Sequence, residues 1–258
     1  MSGINTLKGA YIRSALKEGK RNDSREQFQM WEIEINREVL SNAEGSARAR
    51  LGNTDVIAGV KVVVEEPHSD TPEEGNLIVS AELLPMASAD FETGPPSPAA
   101  IELARVVDRG IRAGSCVDLQ SLFIEKGKVY SVYVDIYVLD YDGNLFDVCT
   151  IAAMSALMNT RLPKYSDGEV DRKDRSAKLK IDNVVSSATF GKFGGDIILD
   201  MNADEEQAAD ARITITTDGK VVRAMQKGLN GDFSIKEVEQ LVDIALKKNS
   251  EITGHIKR

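Results

Sequence analysis

The chain has 258 residues, of which 42% are hydrophobic, 28% charged and 5% aromatic, and this composition excludes a disordered, collagen-like or coiled-coil protein. Its 32 basic and 41 acidic residues give a net charge of −9, which opposes non-specific attraction to nucleic acid or anionic lipid, so any RNA contact must be local. Two cysteines and two histidines are too few for a cysteine-rich zinc site or a disulfide framework.

The ends and the length of the chain give expectations about location and cofactors. No apolar core follows a basic start at the N-terminus, and no stretch approaches the ~18 uninterrupted apolar residues of a membrane span. We therefore expect a cytoplasmic chain that makes no membrane contact. A chain of this length buries enough surface for a stable core, so we expect a fold that needs no cofactor.

The first part of the chain is predicted to form one helix and then mainly strands. Apolar residues recur at helical spacing over residues 4–18 and stop at Gly19. Alternating or β-branched segments follow, two of them joined by a hairpin turn at Gly52 and Asn53. The predicted strands cover residues 28–36, 46–51, 54–64, 76–84, 117–125 and 129–140, the last of them central to the sheet because of its β-branched and aromatic residues.

Two helices are predicted among these strands. The first has Ser97 as its N-cap, Pro98 at its first position and Gly114 at its end. The second covers residues 147–159, where small and apolar side chains on all faces indicate burial.

The second part of the chain repeats this order of elements after a polar, charged connection over residues 163–183. The last helix is predicted to begin at Ser234, with Glu237 completing a capping box. Strands followed by a helix therefore occur twice, which favours an α+β fold with two related halves. The predicted strands of this part are 184–190, 195–200, 211–217 and 220–226. The predicted divisions of the whole chain are an N-terminal helix and arm over 1–27, a first domain over 28–162, the connection over 163–183 and a second domain over 184–258.

Three features of the sequence could carry chemistry. Arg105, Arg109 and Arg112 are spaced to share one face of the helix that begins at Pro98. Such a row can hold phosphates, or it can be an ordinary solvated face.

The second feature is the turn before the buried helix, Gly143, Asn144, Leu145 and Phe146. A glycine turn at this place can present backbone N–H groups to a phosphate. However, Leu145 and Phe146 offer no donor, and we expect Asp147 to cap the N–H groups itself and to repel an anion. A structural turn is therefore the favoured interpretation.

The third feature is a cluster of acidic residues between residues 200 and 210. It could bind magnesium or supply a general acid, but such clusters are usually solvated loops. Asp200 alone directly follows a predicted strand, which is the rigid position that a catalytic carboxylate needs. The cluster consists of Asp200, Asp204, Glu205, Glu206 and Asp210.

Several segments together resemble the RNase PH family. They are Lys20–Arg25, Gly45–Ala49, Gly52–Val60, Phe91–Pro96, Ile101–Arg109 and Val134–Asn144. The resemblance covers nearly the whole chain, and within the family it is nearest to the non-catalytic RNase PH-like ring subunits of the archaeal exosome. It implies a duplicated RNase PH fold, with two halves like domain 2 of ribosomal protein S5.

The resemblance also implies a chemistry that this chain has lost. Active members degrade RNA from its 3′ end with inorganic phosphate as the nucleophile, which they hold with a glycine turn carrying a hydroxyl and a basic residue. This chain has Leu145 and Phe146 there, so neither donor nor charge remains. Active members also carry an Asp-x-Asp pair, where this chain has Asp200 and Asn202. We expect a degenerate phosphate turn, a degenerate acid site, no catalytic residue and no metal.

The resemblance further implies the partners of the chain. They are a catalytic RNase PH-like subunit in a hexameric ring, a trimer of heterodimers; RNA-binding cap subunits; and single-stranded RNA. The subunit would complete the active cleft of its partner, and Arg105, Arg109 and Arg112 are its candidate RNA contacts. Two alternatives stay open: an active phosphate-dependent 3′-to-5′ exoribonuclease using Asp200 as general acid, and a structural subunit without RNA contact.

Overall fold

The computed structural model describes residues 3–166 and 168–258, so that residues 1, 2 and 167 of the predicted N-terminal and connecting segments lie outside the described residues. The helices are α1 (Gly3–Lys17), α2 (Pro98–Ala113), α3 (Leu145–Met158), α4 (Ala203–Ala208) and α5 (Ile235–Lys257). The strands are β1 (Ile33–Arg37), β2 (Gly45–Leu51), β3 (Thr54–Glu65), β4 (Asn76–Leu83), β5 (Phe123–Glu125), β6 (Lys128–Asp140), β7 (Arg161–Leu162), β8 (Lys164–Ser166), β9 (Glu169–Asp171), β10 (Ala177–Lys178), β11 (Ser186–Phe193), β12 (Asp196–Leu199), β13 (Ala211–Thr217) and β14 (Val222–Gly228).

The first half is built on a mixed sheet with the order β1-β2-β3-β6-β4, and β5 also pairs with β6. β6 is central as predicted, since it pairs antiparallel with β3 and parallel with β4. The predicted hairpin is confirmed, with Leu51 opposite Thr54 across a two-residue turn. α2 packs on β4 and has the predicted caps, with the Ser97 side chain accepting a hydrogen bond from the Ala100 N–H.

The second half is an antiparallel sheet with the order β12-β11-β13-β14. α5 packs on β11 and β13, and the capping box of Ser234 and Glu237 is present. The expected α+β architecture with a sheet and helices in each half is therefore confirmed.

The helix α3 joins the two halves. It contacts β2 and β3 of the first sheet as well as β11 of the second. Every residue from Phe146 to Leu157 is buried, which explains why its sequence is apolar on all faces. Its N-terminus consequently lies where both halves meet.

Several predicted elements differ in the structure. Only Phe123–Glu125 of the predicted strand 117–125 is a strand, because residues 120–122 form a 3-10 turn and Val117 makes only an isolated bridge with Ile181. α3 begins two residues earlier than predicted. The charged connection carries short strand pairs, β7 with β10 and β8 with β9, and α4 was not predicted.

Across residues 3–166 and 168–258, none of the helices is both long enough and apolar enough to cross a membrane.

Candidate functional site

The turn predicted to be a degenerate phosphate turn lies at the N-terminus of α3. Gly143 has φ +96°, and a Cβ on it would collide with the Met201 carbonyl oxygen. Its own carbonyl accepts a hydrogen bond of 2.7 Å from the Thr54 hydroxyl. Asn144, with φ +49°, is the N-cap residue of α3 but makes no side-chain cap. The turn is therefore fixed tightly against the loop after β12.

The carboxylate of Glu206 accepts one hydrogen bond from this turn and one from Tyr141. The Asn144 backbone N–H donates to Glu206 Oε1 at 3.0 Å, and the Tyr141 hydroxyl donates to Oε2 at 2.7 Å. Burial raises the pKa of Glu206, and it also raises the pKa of Tyr141. The positive end of a helix attracts an anion, and here that anion is a side chain of the protein itself.

Phe146, predicted to replace a basic residue of the phosphate turn, is buried under an arginine. The Arg212 guanidinium lies 4.3 Å from the centroid of the Phe146 ring, at a distance suited to a cation–π contact. Arg212 also donates to Glu102 at 2.9 Å. Leu145 is half-buried. Neither side chain donates a hydrogen bond at the turn, as expected from their chemistry.

Asp147 does not cap its own helix, so that part of the sequence interpretation is wrong. Its carboxylate is fully buried and accepts hydrogen bonds from the backbone N–H and the hydroxyl of Thr189 on β11, at 3.0 and 2.7 Å. The Asn144 side-chain amide donates to the same carboxylate at 2.9 Å. Burial raises the pKa of Asp147 to about 7, to which the nearby charge of Asp200 adds.

Asp200, the carboxylate predicted to be best placed for catalysis, is held by protein groups on both oxygens. Its Oδ2 accepts hydrogen bonds from Arg25 at 2.7 Å and from the Trp31 N–H at 2.8 Å, and its Oδ1 accepts one from Asn144 at 2.5 Å. The residue is only 1% exposed. Both carboxylate oxygens are therefore engaged by groups of the protein, and neither is free to contact a substrate.

Asn202, predicted to be the second position of a degenerate acid pair, is the N-cap residue of α4. Its side chain accepts a hydrogen bond from the Glu205 N–H, and the Glu205 carboxylate accepts one from the Asn202 N–H. Arg21 binds Glu205 through two nitrogens at 3.0 and 2.6 Å. Glu205 is fully buried.

The acidic cluster is therefore not a solvated loop, contrary to the favoured expectation. Asp200 and Glu205 are buried against Arg25 and Arg21, while Asp204 and Asp210 form outer ion pairs with α1. In the part of the chain that the structure describes, no group of three acidic, histidine or cysteine side chains could hold a metal ion.

Sequence reasoning missed the roles of Arg21 and Arg25. Both lie in a segment that carries the family resemblance, but nothing local showed that their side chains reach Glu205 and Asp200, which are 184 and 175 positions away. A nearby cation stabilises a buried ionised carboxylate, but the sequence did not show that these carboxylates are buried, so it gave no signal for the two arginines.

The three arginines of α2 differ in how strongly other groups of the protein engage them. Arg105 is exposed and makes no ion pair with the residues described, and Arg109 donates to the Gln226 side chain at 3.3 Å. Arg112 is engaged, since it binds Asp108 at 2.8 Å and also donates to the Leu77 carbonyl. The shared face is confirmed, with Arg105 and Arg109 the members best able to bind an anion.

Comparison with known proteins finds relatives over nearly the whole chain. Residues 29–163 match domain 1 of the RNase PH 3′ exoribonuclease family, and residues 183–248 match its domain 2. The exosome complex component Rrp42 of Thermococcus gammatolerans is 46% identical, with 98% of this chain and 96% of that protein covered.

Two solved structures are also similar. A chain of the Archaeoglobus fulgidus exosome with RNA bound to the active site superposes with a TM-score of 0.92 at 40% identity, covering 98% of this chain and 99% of that one. A chain of an archaeal exosome core has a TM-score of 0.88 at 37% identity, covering 99% of this chain and 98% of that one.

Proposed function

The chain belongs to the RNase PH family of 3′ exoribonucleases, and on that premise we propose that it is a non-catalytic subunit of an archaeal-type exosome ring. In this proposal it alternates with a catalytic RNase PH-like subunit in a trimer of heterodimers, which also carries RNA-binding cap subunits. It completes the active cleft of its partner and contacts single-stranded RNA during 3′-to-5′ degradation.

The position of Glu206 is the main observation that supports the proposed lack of catalysis. Phosphorolysis needs inorganic phosphate beside the scissile bond, and a glycine turn at a helix N-terminus provides N–H donors for it. Here the Asn144 N–H donates to Glu206 at 3.0 Å. A carboxylate at this position repels phosphate and occupies the N–H donor that phosphate would need.

The degenerate acid site supports the same proposal. Asp200 is buried between Arg25, the Trp31 N–H and Asn144, so it cannot reach a leaving oxygen without breaking three hydrogen bonds. Asn202 caps α4 and carries no proton to donate as an acid. The alternative, an active enzyme using Asp200, has no support from this geometry.

The RNA contact is proposed for Arg105 and Arg109. Both guanidinium groups are exposed on α2, and phosphate contacts of this kind depend on salt rather than on sequence. Arg112 is a weaker candidate, because an RNA phosphate would compete with Asp108 and the Leu77 carbonyl for it.

The deciding experiment measures phosphate-dependent release of nucleoside diphosphates from single-stranded RNA. We expect none from the purified chain, and release once the catalytic partner subunit is added. Mutation of the phosphate turn of the partner should abolish that release. Diphosphate release by this chain alone would contradict the proposal and would return Asp200 to consideration as the general acid.

A further inference from the structure

Arg105 and Arg109 stand between two grooves on the surface of α2. Both arginines line a groove of about 470 Å³ toward the start of the helix and a second groove of about 290 Å³ toward its end. The first groove also contains Pro98, Ile101, Glu102 and Gln226, whereas the second contains Asp108 and Arg112. One groove therefore has an apolar side, and the other is lined largely by charges.

The apolar side of the first groove includes an isoleucine that is not buried in the hydrophobic core. Ile101 is 48% exposed, although α2 buries its other large aliphatic residues, Leu103, Val106, Val107 and Ile111. An exposed isoleucine next to two cations offers an apolar surface to a ligand that also carries negative charge.

A chain of hydrogen bonds holds Arg109 at the border of the groove. Arg212 donates to Glu102 at 2.9 Å, and the Gln226 amide donates to the same Glu102 oxygen at 3.3 Å. The other end of the Gln226 amide accepts the hydrogen bond from Arg109. Because Arg212 neutralises Glu102, the positive charge of Arg109 remains available for an anion.

We propose that the larger groove is a nucleobase subsite for single-stranded RNA. A base packs against Ile101 and Pro98, while the phosphates on either side of its ribose bind Arg105 and Arg109. The inference rests on the proposed function, because it names the part of the RNA that this surface receives. A groove of about 470 Å³ has room for one base, and contact with the face of a base is independent of sequence.

The test uses two fluorescent probes in anisotropy titrations of the purified chain: an oligoadenylate, and a ribose-phosphate oligomer of the same length without bases. Ile101→Ser should weaken binding of the oligoadenylate roughly threefold to tenfold and leave binding of the baseless probe unchanged. Ile101→Trp, which enlarges the apolar surface, should tighten binding of the oligoadenylate alone. The matched control is Ile235→Ser on α5, where the isoleucine is 78% exposed and lies outside the groove.

A second set of variants separates this inference from the proposed function. Arg105→Gln with Arg109→Gln should weaken binding of both probes, because both carry phosphates. If this double variant has its effect but the Ile101 variants change both probes equally or neither, the base subsite is wrong and the RNA contact stands. If the double variant binds both probes like the parent, the proposed RNA contact fails, and the subsite with it.

Discussion

At the scale of single residues, the junction of the two halves holds more carboxylates than cations. Asp147 and Asp200 share the amide of Asn144, and only Asp200 has an arginine partner. An unpaired buried carboxylate lowers its cost by keeping a proton. The hydrogen bonds from Thr189 fix Asp147 but supply no charge to balance it.

The first prediction concerns Asp147→Asn and pH. The pKa of Asp147 is raised from 3.8 to about 7, so between these values the folded protein holds a proton that the unfolded chain has lost. The stability of the parent therefore falls, relative to the variant, as pH rises through that window. Denaturant unfolding at pH 5 and pH 8 should show a relative loss of about 3 kcal/mol. Parallel stability profiles for parent and variant would contradict the raised pKa.

The second prediction concerns Glu206→Ala. The change leaves the Asn144 N–H and the Tyr141 hydroxyl without their acceptor, which should cost about 1 to 3 kcal/mol of unfolding free energy. Inorganic phosphate should restore part of that loss by binding at the vacated helix terminus, whereas sodium chloride of the same ionic strength should not. Thermal unfolding of parent and variant in both salts measures this. An equal response to both salts would mean that Glu206 does not occupy an anion site.

At the scale of elements, α2 exposes one face to solvent, whereas α3 is buried. α2 presents its arginines outward because Leu103, Val106 and Val107 face the core. α3 is buried and directs its N-terminus at the junction of the halves. In the proposed function the outward helix contacts RNA, while the buried helix holds the turn at residues 143–146.

The third prediction concerns Arg105→Glu with Arg109→Glu. The variant should bind single-stranded RNA at least tenfold more weakly at low salt and show a shallower salt dependence, because phosphate contacts are lost. Assembly with the partner subunit should be unchanged. Lys126→Glu with Lys236→Glu changes the net charge equally at two exposed positions off α2 and should keep most of the affinity. Equal losses in both variants would point to net charge rather than to this helix face.

The fourth prediction concerns Gly143→Ala at the start of α3. A Cβ there meets the Met201 carbonyl and the backbone of Asn202, in addition to the strain of φ +96°. Gly127→Ala is the control, because its φ is +81° but its surroundings are open. We expect the control to cost about 1 to 2 kcal/mol of unfolding free energy and Gly143→Ala to cost clearly more. Similar losses would mean that the turn and the loop after β12 move apart easily.

At the scale of the whole molecule, α3 and the arginine pairs tie the halves into one unit. Arg25 binds Asp200, and its guanidinium lies 4.3 Å from the centroid of the Trp31 ring. Trp31 also covers Gly52 of the β2–β3 turn. The only tryptophan of the chain thus lies between the first sheet and the end of β12.

The fifth prediction follows from this position. Because Trp31 reports on the junction and circular dichroism reports on all helices and strands, the two signals should change at the same temperature in a single transition. Two separated transitions, with the fluorescence change first, would show that the halves unfold independently.

The sequence by itself determined most of the elements and the side-chain chemistry of the turn at the candidate site. Caps, turns and hydrophobic periodicity act within a few residues, so the α2 N-cap at Ser97, the β2–β3 hairpin and the α5 capping box could be predicted. The same holds for the missing donors at Leu145 and Phe146, since residue type alone decides them.

Only the tertiary structure decided which groups meet. The Asn144 N–H and Glu206 are 62 positions apart, and Arg25 and Asp200 are 175 apart. Local patterns carry no information about such pairs, because the pairing is set by how β11, β12 and α3 pack. This packing buries Asp200 and Glu205 of the acidic cluster against arginines that lie far away in the linear sequence.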